Sequence, residues 1–216
     1  MSIDYKFYYW GPLLFKIKLS SFDLEACTKL CSKKEKGYGK FLVGMIKHEH
    51  YVNATAYHKI LKPYLNIFTN AFQHWYGWQC PPGKTKSLTA WVNFMRAGEF
   101  NPPHTHVKCD FSSVLFTRVP QTLKEEHKNF QKEALNKEHR GGGGPGALQF
   151  FYGEKQPYVL TQVSAFPEEG DLYIFPSTLI HFVFPFKSKG ERISIGANFN
   201  LPSFDDEITG FNDKKN

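Results

Sequence analysis

The chain has 216 residues, with 21 Phe, 11 Tyr and 4 Trp, 41% hydrophobic residues and a formal net charge of +7. That length supports one substantial domain, and the apolar content excludes disorder for the body of the chain. The positive charge comes largely from Lys33–Lys40, Lys124–Arg140 and Lys214-Lys215. These stretches do not alternate with aromatic residues as a single-strand binding groove would, so they read as solvated faces that confer solubility and argue against a nucleic-acid partner. Cys27, Cys31, Cys80 and Cys109 form no Cys-x-x-Cys pair and imply reduced thiols. No apolar run reaches the roughly 18 residues that span a bilayer, and Met1-Ser2-Ile3-Asp4 does not open a targeting segment, so a soluble cytoplasmic protein without a membrane partner is expected.

In chain order, Phe7–Ile17 is aromatic and β-branched around Gly11-Pro12 and predicts a short strand or hairpin. Ser20-Ser21-Phe22-Asp23 can cap a helix that ends before Lys33–Gly39. From Tyr57 a helical stripe runs through Ile60, Leu61, Tyr64, Ile67, Phe68, Ala71, Phe72 and Trp75. Pro63 lies on the opposite face and predicts a kink or the start of a second helix, and Gly77 and Pro81-Pro82-Gly83 close the helical part. From Leu88 the period becomes two: Leu88, Ala90, Val92 and Phe94 oppose Trp91, Asn93 and Met95, as in a half-buried strand. Further β-like runs follow at Phe111–Thr117, Ala147–Tyr152, Tyr158–Ala165, Asp171–Phe175, His181–Phe186 and Arg192–Phe199. The expected architecture is therefore mainly β: a jelly-roll, cupin-like core over 84–201, with an N-terminal strand and supporting helices over 1–83 and a tail over 202–216, all in a single domain. A charged, glycine-rich insertion at 121–146 interrupts the rhythm as either a lid or a surface loop.

Two clusters carry chemistry. His104-Thr105-His106 follows Asn101-Pro102-Pro103, whose prolines favour extended backbone. On a strand, residues i and i+2 share a side, so both imidazoles can approach one first-row metal ion, with His181 brought opposite by the barrel. Asp110 is the alternative third ligand, but about 13 Å along an extended strand from His106 it needs a turn to reach the ion. Eleven residues after His181, Arg192-Ile193-Ser194 places a guanidinium and a hydroxyl on one face, able to hold a carboxylate. His48-Glu49-His50 has the same i, i+2 spacing without such an anchor and is discounted, while His58, His74, His127 and His139 read as ordinary surface or core residues.

The elements Asn101–His106, Phe111–Phe116, Gly170–Ser177, His181–Pro185 and Glu191–Ser194 resemble the catalytic core of the Fe(II)- and 2-oxoglutarate-dependent oxygenases, in particular the small phage and bacterial branch related to prolyl hydroxylases. The resemblance implies a double-stranded β-helix in which His181 binds iron and Arg192 with Ser194 binds the far carboxylate of 2-oxoglutarate. It also implies a dioxygenase that consumes O2 and 2-oxoglutarate, releases succinate and CO2, and hydroxylates a C–H bond of a peptide, protein or small molecule, in the host cytoplasm if the chain is phage-encoded. A non-catalytic cupin-like barrel that binds a metal or a small acid is the alternative. Most members of the superfamily carry His-x-Asp or His-x-Glu where this chain has His104-Thr105-His106, so a third histidine stands in the carboxylate position. Ser113 and Phe116 stand where the branch often has Gly and Tyr, so a tyrosine hydroxyl for the co-substrate has to come from another position or is missing. Trp91 and Phe94 suit the lining of such a cavity, although aromatic residues on barrel strands are more often plain core.

Overall fold

A computed structural model describes residues 11–76, 85–134, 143–154, 156, 157 and 159–201. The expected start of the first strand or hairpin, the glycine-proline closure at 77–83, the first two glycines of the run at 141–144 and the tail over 202–216 lie outside the described residues. The first strand, β1, covers Phe15–Lys18. Helix α1 follows over Ser21–Lys29, and its first turn is capped by Ser20, whose side chain accepts from the Asp23 amide.

Helix α2 runs unbroken over Ala54–Tyr76 with Pro63 inside it. No second helix begins at Pro63, which sits on the exposed face while Tyr57, Leu61, Tyr64, Leu65 and Phe68 are buried against the sheet. Burial of such side chains, each worth about 1.5–3 kcal/mol, outweighs the one hydrogen bond a helical proline removes. The stripe turns slightly from the expected one: Leu65 is buried, whereas Ile67 and Trp75 are half exposed.

Six strands form an antiparallel sheet in the order β1-β8-β5-β10-β3-β2, using β2 (Glu49–Tyr51), β3 (Lys86–Met95), β5 (Phe111–Arg118), β8 (Asp171–Pro176) and β10 (Arg192–Asn200). A second sheet takes the order β4-β9-β6-β7, with β4 (Asn101–His104), β6 (Leu148–Phe151), β7 (Gln162–Ala165) and β9 (Ile180–Val183). One core packs α2 on the outer face of the first sheet through Phe68, Val92, Leu115 and Ile195. The other lies between the sheets, where Met95, Phe116 and Phe175 meet Leu148, Phe150 and Val183. Two sheets closing on a common interior with helices on one side make the jelly-roll expected from the sequence.

One correction concerns β3. It is buried on both faces from Ala90 to Met95 rather than half-buried, since Trp91, Asn93 and Met95 face the barrel interior instead of water. The charged insertion likewise departs from a loose loop. Its helix, α3 (Gln121–Ala134), buries Leu123 in the inter-sheet core, and its Glu126 carboxylate accepts from the amides of Lys187 and Ser188.

Candidate metal centre

His104 closes β4 and is the direct cross-strand partner of His181 on β9. Side chains of such a pair lie on one face of the sheet, and the two ring centroids are 4.2 Å apart. His106 lies just beyond the end of β4, so strand periodicity alone does not place it. Its amide donates to Ser177 O at 2.8 Å, which pins the segment to the turn between β8 and β9. The ring then stands 5.1 Å from each of the other two. One nitrogen from each of the three imidazoles lies within 4.8 Å of the others, close enough for a single ion to be reached by all three.

The ring tautomers are set by the backbone. His104 Nδ1 is 2.7 Å from Pro102 O, and His181 Nδ1 is 2.9 Å from Leu179 O. A carbonyl only accepts, so each Nδ1 carries its proton and Nε2 keeps a free lone pair. Burial pushes the His181 imidazole down to about 3, with the neighbouring His104 and His106 adding to the effect. Burial, then His104, pushes His106 down to about 4, and burial also lowers His104. Neutral imidazoles are the form that ligates a metal. Phe175 stands edge-on 4.6 Å from the His181 ring and, with Phe150, forms an apolar backing to it.

A cavity of about 320 Å³ opens in front of the three histidines. Its far wall belongs to the first sheet, so the site is assembled across the interior from both sheets. Arg192 and Ser194 on β10 line it, each 1% exposed. The Arg192 guanidinium donates through Nη1 to Gly146 O at 3.0 Å and stands 5.2 Å over the Phe116 ring, and its Nε has no partner. Burial lowers this group only to about 10, so it is a charged, incompletely paired cation facing a cavity. Such a group fits a carboxylate, and Ser194 two residues on supplies a hydroxyl on the same face.

The Asp110 alternative is not brought to the cluster. Its carboxylate accepts from the Leu201 amide at 2.9 Å, away from the group formed by the three histidines. Phe94 points to the helix-side core and does not line the cavity, whereas Trp91 does. The Trp91 ring lies against Gly196, where a Cβ would come within 2.5 Å of it, and its centroid is 5.6 Å from that of His106. Phe116 sits under the guanidinium. Among the described residues the tyrosine on the cavity wall is Tyr38, stacked on Trp91 at 6.1 Å. Glu49, Asn93 and Asn101 also line the cavity, and the sequence reading missed them as site residues. The interior face of β3 is the signal that could have found Asn93. Nothing local marks Glu49, because its burial depends on pairing between β2 and β3.

A family model described as putative 2OG-Fe(II) oxygenase matches residues 89–198. The chain belongs to this family. Its members are oxygenases that use Fe(II), 2-oxoglutarate and O2, and three converging histidines beside a buried arginine fit that cofactor set. No curated protein matches the chain. Among solved structures, this oxygenase is similar to a prolyl-4-hydroxylase of Pseudomonas putida, at 13% identity and TM-score 0.55, covering 88% of this chain and 93% of that one. An oxidoreductase of the 2OG-Fe(II) oxygenase family from Burkholderia pseudomallei matches at 13% identity and TM-score 0.51, covering 87% and 85%. A prolyl hydroxylase of Trichoplax adhaerens, solved with a hypoxia-inducible-factor peptide fragment, matches at 13% identity and TM-score 0.53, covering 87% and 83%. Likeness at this identity establishes the shared fold.

Proposed function

We propose that this oxygenase hydroxylates a C–H bond of a peptidyl or small-molecule substrate, releasing succinate and CO2, with His104, His106 and His181 as its iron ligands. The observation that carries the reading is the convergence of three neutral imidazoles opposite a buried, partly unpaired arginine across one cavity. Bound Fe(II) with 2-oxoglutarate supplies the activation of O2. The residues of this chain hold and orient. Pro102 O and Leu179 O keep the Nδ1 protons on His104 and His181 and so present Nε2. Arg192 and Ser194 take the far carboxylate of 2-oxoglutarate, which pairs the open Nε donor of the guanidinium. Phe150 and Phe175 keep water from the back of the histidine cluster. A histidine in place of the commoner carboxylate leaves the centre one unit more positive, which should weaken retention of Fe(II) between turnovers.

The test is Fe(II)-dependent conversion of 2-oxoglutarate to succinate by the purified chain, with O2 uptake followed in parallel. Succinate that appears only with Fe(II) and O2 present, and disappears in His181→Ala, is the expected result. No succinate above the metal-free control would support a non-catalytic barrel instead.

A further inference from the structure

Among the described residues lining the cavity, Glu49 is the acid, and the iron and co-substrate machinery does not use it. Glu49 on β2 pairs in register with Asn93 on β3, which pairs with Ser194 on β10. Their side chains therefore share the interior face of the sheet and form a polar row that leads away from the co-substrate anchor. Glu49 is 4% exposed and Asn93 5%, yet Glu49 Oε2 and Asn93 Oδ1 have no hydrogen-bond partner. Asn101 Oδ1 and Glu49 Oε1 crowd the same point above Gly44, where a Cβ would meet both, at 2.5 Å from Glu49 Oε1.

A buried polar atom without a partner costs about 1–3 kcal/mol, and an ionised carboxylate costs more, so two such atoms side by side in a cavity wall call for an occupant. Burial, helped by the charge of Glu99, pushes the Glu49 carboxyl up to about 8, so near neutral pH it is mostly an O–H donor. Beside it, Asn93 Oδ1 accepts. One donor and one acceptor without net charge complement a carboxamide, whose carbonyl accepts and whose N–H donates. A cation is the rival occupant, and the Arg192 guanidinium that lines the same cavity disfavours it. The mouth beside the row is apolar, with Phe41, Val43 and Val107 exposed by 63%, 50% and 77%, which suits the hydrocarbon that flanks an amide.

We propose that Glu49, Asn93 and Asn101 form a subsite that binds a carboxamide of the substrate, either a peptide backbone amide or the side chain of Asn or Gln. The proposal rests on the oxygenase reading for its setting, since it places this amide beside the carbon to be oxidised. The test is an NMR titration of the whole chain with N-methylacetamide, acetamide and methylammonium, repeated in Glu49→Gln, Glu49→Leu and Asn93→Leu. Expected is binding of an amide but not of methylammonium. Glu49→Gln, which keeps a donor, should hold the amide within about threefold, while Glu49→Leu and Asn93→Leu each weaken it by about tenfold or more. Tighter N-methylacetamide identifies a backbone amide, and tighter acetamide a side-chain amide. Binding of methylammonium that is lost in Glu49→Gln would overturn the proposal in favour of a cation site. Amide affinity equal in wild type and both leucine variants would overturn it altogether. Succinate release by the wild type is measured separately, so failure of the subsite and failure of the oxygenase reading are told apart.

Discussion

His104 and His181 are oriented before any ion arrives, because each donates Nδ1–H to the carbonyl two residues before it. Removing an imidazole removes a ligand outright, so His181→Ala should weaken Fe(II) binding by more than about 100-fold, beyond the 10- to 100-fold typical of losing an outer hydrogen-bond partner. Competition against a chromogenic chelator measures this. His106→Asp should hold Fe(II) as well as wild type or better, since it restores the commoner two-histidine, one-carboxylate set. Iron lost in His106→Asp but retained in His106→Ala would contradict that. Glu49 gives a separate prediction for stability. Its carboxyl titrates near 4.5 when free and near 8 when buried. Between those values the folded state binds more protons than the unfolded state, so stability falls as pH rises through the window, by on the order of a few kcal/mol. Glu49→Gln should therefore unfold at a higher temperature than wild type at pH 8 and at nearly the same temperature at pH 4. Parallel melting curves at both pH values would mean that the carboxyl is solvated.

At the level of strands and helices, α2 holds the first sheet through few side chains. Phe68 is fully buried and touches the rings of Phe15, Phe72 and Phe111. Phe68→Ala should cost about 3–5 kcal/mol, read as a lower denaturation midpoint, because the aromatic cluster cannot collapse around the void. A loss below about 1 kcal/mol would mean that the helix is loosely docked. The strands were legible in the sequence because alternating apolar residues survive any fold that buries one face. What stayed hidden depended on partners distant in the chain. Asn93 alternates with Val92 and Phe94 and so looked solvent-facing, yet its side faces the cavity wall. His106 sits where the bond to Ser177 O holds it, a placement no local period encodes. Pro63 suggested the start of a second helix because its local cost is visible in sequence, whereas the buried contacts of Leu61, Tyr64 and Leu65 that offset it are not.

Across the whole molecule, the candidate centre is divided between the two sheets. The histidine pair belongs to the four-stranded sheet, and Arg192 with Ser194 belongs to the six-stranded one. Metal binding and co-substrate binding should therefore separate in mutants. Arg192→Ala should weaken 2-oxoglutarate by about 30- to several-thousand-fold, the 2–5 kcal/mol expected for an unpaired buried carboxylate, while Fe(II) affinity changes little. Equal losses of both in a calorimetric titration would make Arg192 a structural residue. His104, His106, His181, Arg192 and Ser194 meet around one cavity because cross-strand register and barrel closure bring them there. Whether iron is held by the three histidines is read most plainly from anomalous diffraction at the iron edge, from crystals grown anaerobically with Fe(II) and 2-oxoglutarate. One peak bonded to nitrogens of His104, His106 and His181 at about 2.0–2.2 Å, the usual range for imidazole donors, is expected. A peak ligated by the Asp110 carboxylate in place of His106, or one lying away from the three rings, would contradict it.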